Sequence, residues 1–318
     1  MEIAEAEILE LPSIGKHDSA EQQLHQQIRP YLQPRFLDSV FAVAITWILV
    51  FLTLDVCVAI QQPLITVPIA LFVIGACQHR CFTVYHDAMH GCLFQNQALN
   101  LFCGKWLSAY PALICYENAR KRHLTHHRFA STERDPERTS HIRSVRALIP
   151  LYFPWPWIVA GVLHKVGILK QAISLPDVPG RGEWNSAEHT TSKEVFTVLA
   201  LQAAMLAGFV YLFHWYGLLY HAALVLTNPL LTIIRQWVEH YDGDQEGQRD
   251  SRYVVITPTL IERFLFAPMN FNLHAAHHKF PSVPFSCLPE VQKLMDKTYP
   301  DLIRRKGYLA LIMKELPW

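Results

Sequence analysis

The feature that most constrains this chain is a set of four apolar stretches, each close to the length needed to cross a bilayer. They cover residues 41–60, 64–81, 195–216 and 218–237. A membrane-spanning helix needs about 20 mostly apolar residues, because hydrocarbon offers no water to satisfy an open backbone. The stretches come as two pairs joined by very short links, Gln61-Gln62-Pro63 and roughly Tyr216-Gly217. Links this short predict antiparallel hairpins, so each pair leaves and re-enters the membrane on one side. Neither link carries Lys or Arg, whereas residues 80–193 hold many, including Arg120-Lys121-Arg122. The positive-inside rule then puts that middle stretch and both termini in the cytosol. The expected fold class is an all-α membrane protein: four transmembrane helices in two hairpins with a cytosolic helical cap. Residues 1–36 read as an N-terminal cytosolic segment and 37–318 as one membrane domain, with 82–194 and 238–318 cytosolic or interfacial.

Two further apolar runs complicate this count. Residues 98–115 contain Lys105 and Pro111, and residues 147–163 contain Pro150, Pro154 and Pro156 beside Trp155 and Trp157. Proline-broken, Trp-rich runs suit the headgroup zone better than the bilayer core, so both are expected at the interface. The Pro- and Gly-rich stretch 175–188 reads as a loop. With charged residues at 17% and a formal net charge of +1, no basic stripe favours a nucleic-acid partner. The seven cysteines are scattered, with no C-x-x-C pair, and read as small hydrophobes in a reduced setting. The acid-rich opening MEIAEAEILE lacks the basic n-region of a cleaved signal peptide.

Chemistry is concentrated in three histidine boxes: HDAMH at His86 and His90, HLTHH at His123, His126 and His127, and HAAHH at His274, His277 and His278. On a helix, residues three and four apart share a face, so each box presents its rings together. A span ends shortly before the first box, and another runs into His240 in RQWVEH, so helix tips are expected to carry ligands. If all boxes serve one site, an even number of spans must separate them, which is a second reason to keep 98–115 and 147–163 out of the count. Structural zinc takes four ligands and catalytic zinc three plus water. Eight or nine histidines therefore point to a two-metal centre, and O₂ chemistry with iron is the most economical use of one. Asp87, Asp135, Glu239 and Asn272 are candidates to orient imidazoles through their free ring nitrogens. Gln236, one turn before His240, could reach a metal through water. The remaining histidines, His79 among them, read as structural.

The segments HDAMHG (His86 to Gly91), RHLTHHRFA (Arg122 to Ala130) and NLHAAHHKFPSVP (Asn272 to Pro284) resemble the integral-membrane fatty acid desaturase superfamily, which also includes hydroxylases and carotenoid ketolases. The likeness runs from about the first span to Pro284. It implies a non-haem di-iron centre whose ligands map onto His86, His90, His123, His126, His127, His274, His277 and His278, with His240 in the place of a further ligand. It also implies O₂ as co-substrate and a fatty acyl chain as substrate, carried as acyl-lipid, acyl-coenzyme A or acyl carrier protein. The expected activity is an O₂-dependent desaturase that introduces a double bond, or by acting twice a triple bond. The alternative is a fatty acid or carotenoid hydroxylase or ketolase on the same centre. Arg120, Lys121, Arg122 and Arg143 could meet an anionic head group, or simply obey the topology rule. With no H-P-G-G haem stretch and no Cys₄ spacing, the electron donor is expected to be a separate protein such as a ferredoxin or small cytochrome. A metal transporter should carry its ligands near the bilayer midplane, and a zinc peptidase should carry H-E-x-x-H; neither pattern occurs here.

Overall fold

The computed structural model describes residues 18–130, 132, 134–137, 190–240 and 254–315. The runs at 147–163 and 175–188, with Arg143, lie outside the described residues. The helices are α1 (Asp18–Ile28), α2 (Phe36–Ile60), α3 (Pro63–Met89), α4 (Gln97–Gly104), α5 (Tyr116–Phe129), α6 (Ser192–Phe213), α7 (Leu218–His240), α8 (Leu260–Leu265), α9 (His274–Lys279), α10 (Leu288–Thr298) and α11 (Leu309–Glu315). A π-helical turn, Lys105–Ala109, extends α4.

Among the described residues, three helical segments are long and apolar enough to cross a membrane: Phe36–Ile60, Pro63–Met89 and Ser192–His240. The last holds both the third and fourth expected stretches in 49 residues. A straight helix of that length would measure about 74 Å at 1.5 Å per residue, more than twice the hydrocarbon thickness of about 30 Å. It is not straight. The helix breaks at the 3₁₀ turn His214–Gly217, where His214 takes φ 55°. A Cβ on Gly217 would sit 2.4 Å from the Phe209 carbonyl carbon and oxygen, so only glycine lets the two backbones approach there.

The apolar helices are inside out by the standards of a protein in water. On α2 the buried face holds Ser39, Ala42, Val43, Thr46 and Leu54, while Phe36, Phe41, Ile48, Phe51 and Leu52 face outward. On α6, Glu194 and Gln202 point inward while Phe196 is 73% exposed. So large an exposed apolar surface suits lipid and not water. Small residues and backbone-directed polar side chains hold the helices together instead. A Cβ on Gly75 would meet Thr227 Oγ1 at 2.2 Å, and Thr227 donates to the Leu71 carbonyl at 2.6 Å, which locks α3 against α7. Gln78 donates to the Tyr220 carbonyl at 2.7 Å, and Gln202 to the carbonyls of Tyr110 and Pro111. α3 is the central helix, packed against both α2 and α7.

The extramembrane part corrects the all-α expectation. β1 (Val254–Thr257) pairs in parallel with β2 (Ile303–Lys306), Val254 opposite Ile303. β1 is a run of four β-branched residues, VVIT, which suits a pleated ladder. Each strand is too short to show a period in the sequence, and its partner comes from beyond the last histidine box. Between them the chain crosses over through α9 and α10. Leu24 and Ile28 of α1, Val255, Ala275, Ala276 and Phe280, and Leu288, Val291 and Met295 of α10 bury one another in a single core. That core seats α9, the helix carrying the third box.

Candidate metal centre

α3 runs unbroken through Met89, so His86 lies in its final turn and His90 caps it. α5 carries His123, His126 and His127, and α7 ends on His240. α9 carries His274, His277 and His278. These helix ends meet. Ligand nitrogens of His86, His90, His123, His127 and His277 lie within 4.8 Å of one another, and those of His126, His240 and His278 form a second such group. His274 adjoins the second group: its Nε2 is 3.2 Å from that of His240, and its ring lies 4.2 Å from that of His278. The groups touch, with His127 and His278 rings 4.6 Å apart. Boxes and groups do not correspond. HLTHH sends His123 and His127 to the first group and His126 to the second. HAAHH sends His277 to the first and His278 to the second.

The contacts among these nitrogens fit a shared cation. His123 Nε2 lies 3.0 Å from the Nε2 atoms of both His90 and His127, and His127 Nε2 lies 3.0 Å from that of His277 as well. A ring nitrogen has one in-plane site, either a proton or a lone pair, and can serve only one neighbour. Hydrogen bonding therefore cannot satisfy His123 and His127 twice over. Two ligands bound at about 2.1 Å and at right angles on one ion would stand about 3.0 Å apart. His86 Nε2, buried in the same group, has no hydrogen-bond partner. An all-imidazole donor set suits iron, copper, zinc or nickel.

The rings are also prepared electrically. Burial, reinforced by neighbouring imidazoles, drives His90, His127, His274, His277 and His278 well below the ordinary histidine range. Burial likewise lowers His123, against a smaller opposing pull from Glu137. All six are thus neutral with a lone pair free, the state a metal ligand needs. His126 is the exception: burial pulls it down, but the hydrogen bond and charge of Asp135 outweigh burial and raise it.

The polar surround differs from expectation in part. Asp135 is buried and accepts from His126 Nδ1 at 2.8 Å. Asp87 Oδ1 sits 3.4 Å from His86 Nδ1, while its Oδ2 accepts the Phe285 amide at 2.8 Å, tying the loop after the third box to the first. Glu239 Oε2 is 3.6 Å from His274 Nδ1 and 3.3 Å from Arg235. Asn272 does not turn to a ring; its amide donates to the Ile256 carbonyl, holding β1 beside α9. Gln236 donates to the Glu137 carbonyl at 3.0 Å.

Sequence reading missed Glu137, whose Oε2 stands 3.5 Å from His123 Nδ1. The signal was its place two residues after Asp135, whose Oδ1 accepts the Glu137 amide at 2.8 Å. Arg235 was also missed. Its guanidinium lies 4.2 Å from the Phe82 ring centre and 4.8 Å from that of Phe271, and both rings pack on His86. Arg120 and Arg122, candidates for a head group, also brace the backbone: Arg120, though exposed, donates to the Met89 carbonyl and Arg122, half-buried, to that of Pro136. His79 is saturated by Thr232 at 3.2 Å and the Phe266 carbonyl at 3.1 Å, as a structural histidine should be.

This arrangement is a helix bundle with apolar faces suited to a membrane and histidine-bearing helix ends gathered into groups that could hold metal ions. The chain belongs to the fatty acid desaturase family, whose pattern matches residues 63–307. The match starts after α2 and runs past Pro284, through β2. That family is one of non-haem di-iron oxidoreductases. The chain is 22% identical over 249 residues to a sphingolipid delta(4)-desaturase DES1-like protein of Oryza sativa subsp. japonica, covering 77% of this chain and 68% of the relative. It is 25% identical over 211 residues to alkane 1-monooxygenase 1 of Pseudomonas aeruginosa, covering 64% of this chain but only 50% of that protein. It is also 25% identical to a beta-carotene ketolase of Paracoccus sp. over 225 residues, covering 67% of this chain and 73% of the relative.

Proposed function

We propose that this chain is an O₂-dependent fatty acyl desaturase with two irons held by His86, His90, His123, His127 and His277 on one side and His126, His240, His274 and His278 on the other. The observation that carries this reading is the convergence of four helix ends into two adjoining all-histidine groups. The break at His214–Gly217 supports four membrane crossings in two hairpins, and the basic residues between them favour a histidine side facing the cytosol. The α4 helix and its π turn, about 20 Å long together, are too short to cross and lie at the interface.

When bound, the iron pair supplies what no side chain here can, the activation of O₂ and the opening of an unactivated C–H bond. The protein's part is to hold, orient and keep dry. Asp135 keeps the proton of His126 on Nδ1 and leaves its Nε2 turned toward the centre, and Glu137 does the same for His123. Phe82 and Phe271 close over His86 and exclude water. An acyl tail entering from the lipid would slide between the helix ends, with its head held as acyl-lipid, acyl-coenzyme A or acyl carrier protein. Electrons come from a separate ferredoxin or small cytochrome.

A second reading follows from the relatives, since a monooxygenase and a ketolase stand beside the desaturase: insertion of oxygen into a fatty or isoprenoid chain. The deciding experiment offers the three acyl carriers with a reductant to iron-loaded protein. Product mass loses two hydrogens in desaturation and gains oxygen in the alternative. No product from any carrier, with two irons bound and reducible, would refute the acyl reading. Cysteine-specific labelling at Lys105→Cys from outside intact cells should fail; labelling there would break the topology.

A further inference from the structure

We propose that Tyr308 is a positioning residue for the metal centre, acting through Glu239 on His274. This rests on the reading of His274 as a ligand. Tyr308 lies beyond the last histidine box and just outside the family match, which ends at residue 307. It is fully buried, and its hydroxyl donates to Glu239 Oε1 at 3.1 Å. Two further contacts hold the residue in place. Its amide donates to Glu262 Oε1 at 2.8 Å, and its face stacks on Phe266 at 5.3 Å. The preceding Gly307 takes φ +71°, and a Cβ there would lie 2.7 Å from the same Glu262 carboxylate, so the turn out of β2 that aims Tyr308 inward demands glycine.

Glu239 is buried and divides its two oxygens. Oε1 serves Tyr308; Oε2 faces Arg235 Nη1 at 3.3 Å and His274 Nδ1 at 3.6 Å. His274 Nδ1 is buried with no hydrogen-bond partner, while its Nε2 faces His240. A ligand that gives its Nε2 lone pair to a metal carries its proton on Nδ1, and that proton points at Glu239. A contact at 3.6 Å is longer than a hydrogen bond, and such contacts tighten when the site is loaded. Left to Arg235 alone, the carboxylate would swing toward the guanidinium. Tyr308 pins the opposite oxygen and keeps Oε2 between the two. The turn after β2 thus reaches the metal centre through the Tyr308 hydroxyl.

The test uses full-length protein in detergent, stripped and reloaded with iron. Iron per chain is measured against a graded chelator, and the Mössbauer spectrum is recorded for each variant. His274→Ala should lose one iron outright. Tyr308→Phe should weaken retention of that same iron about tenfold or more and shift its quadrupole doublet alone. The other iron and the melting temperature of the stripped protein should stay at wild-type values. A general packing role would instead lower the melting temperature and release both irons together. Wild-type chelator competition and spectrum in Tyr308→Phe, with one iron lost in His274→Ala, overturn the inference alone. Retention of both irons in His274→Ala overturns the ligand reading beneath it. If Tyr308→Phe fails to accumulate, Glu239→Gln carries the same test, and its wild-type iron retention is again a refutation.

Discussion

Replacing Asp135 with Asn gives the sharpest test of how the second histidine group is held. Asp135 Oδ1 accepts from His126 Nδ1 at 2.8 Å and from the Glu137 amide at 2.8 Å, and only 2% of either side chain in the His126 pair is exposed. With so little solvent, screening barely weakens the charged contact. Asn keeps the shape and an acceptor oxygen, so the Glu137 amide keeps its partner and the local turn survives. What is lost is the negative charge that raises His126 and fixes its proton on Nδ1. Removing an outer carboxylate of this kind typically costs about 10- to 100-fold in metal affinity, or about 1.4–2.7 kcal/mol. The effect should fall on the ion of the His126, His240 and His278 group. The assay is chelator competition on reloaded protein, reading the two irons separately by Mössbauer spectroscopy. Asp135→Asn should release one iron at a chelator concentration about 10- to 100-fold lower than wild type. Unchanged retention of both ions would refute the orienting role. Equal loss of both, with a fall in melting temperature of the stripped protein, would show that Asp135 supports the loop and not the ligand.

Gly75→Ala should destabilise the protein by about 1–3 kcal/mol, because the new methyl meets Thr227 at 2.2 Å where α3 and α7 cross; a wild-type melting curve would contradict the close approach. His79→Ala should cost about 1–3 kcal/mol by leaving the Phe266 carbonyl unsatisfied, yet keep full iron content; loss of iron would mean His79 is more than structural. The stripped protein should lose stability as pH falls below about 6.5. Six box histidines have folded-state values depressed by burial, so the unfolded chain takes up more protons there. Among the box histidines His126, raised by Asp135, pulls the other way, and melting temperatures that rise on acidification would contradict the sign.

The boxes were legible because their spacing is a local property: residues three and four apart share a helix face whatever the helix packs against. α3 and α7 do carry His86, His90 and His240 at their ends, as the positions of the apolar stretches required. Asp135 and Glu239 were legible as candidates for orienting rings, and both lie beside one. Asn272 shared that rank on sequence grounds, yet its amide holds a strand. Side-chain type cannot distinguish these uses, because the choice depends on which backbone group folding brings within 3 Å.

The sequence by itself determined that apolar helices and three histidine clusters exist, because hydropathy and helical spacing act over a few turns. Only the tertiary structure decided that boxes and histidine groups would not coincide, with HLTHH and HAAHH each divided between two groups. It also decided that β1 would find β2, and that Glu137, Arg235 and Tyr308 would stand behind the rings. Apart from Glu137, which folds back on the helix just before it, each of these contacts joins residues far apart in the chain. Their meeting is set by how α3, α5, α7 and α9 cross, which no single stretch of chain encodes.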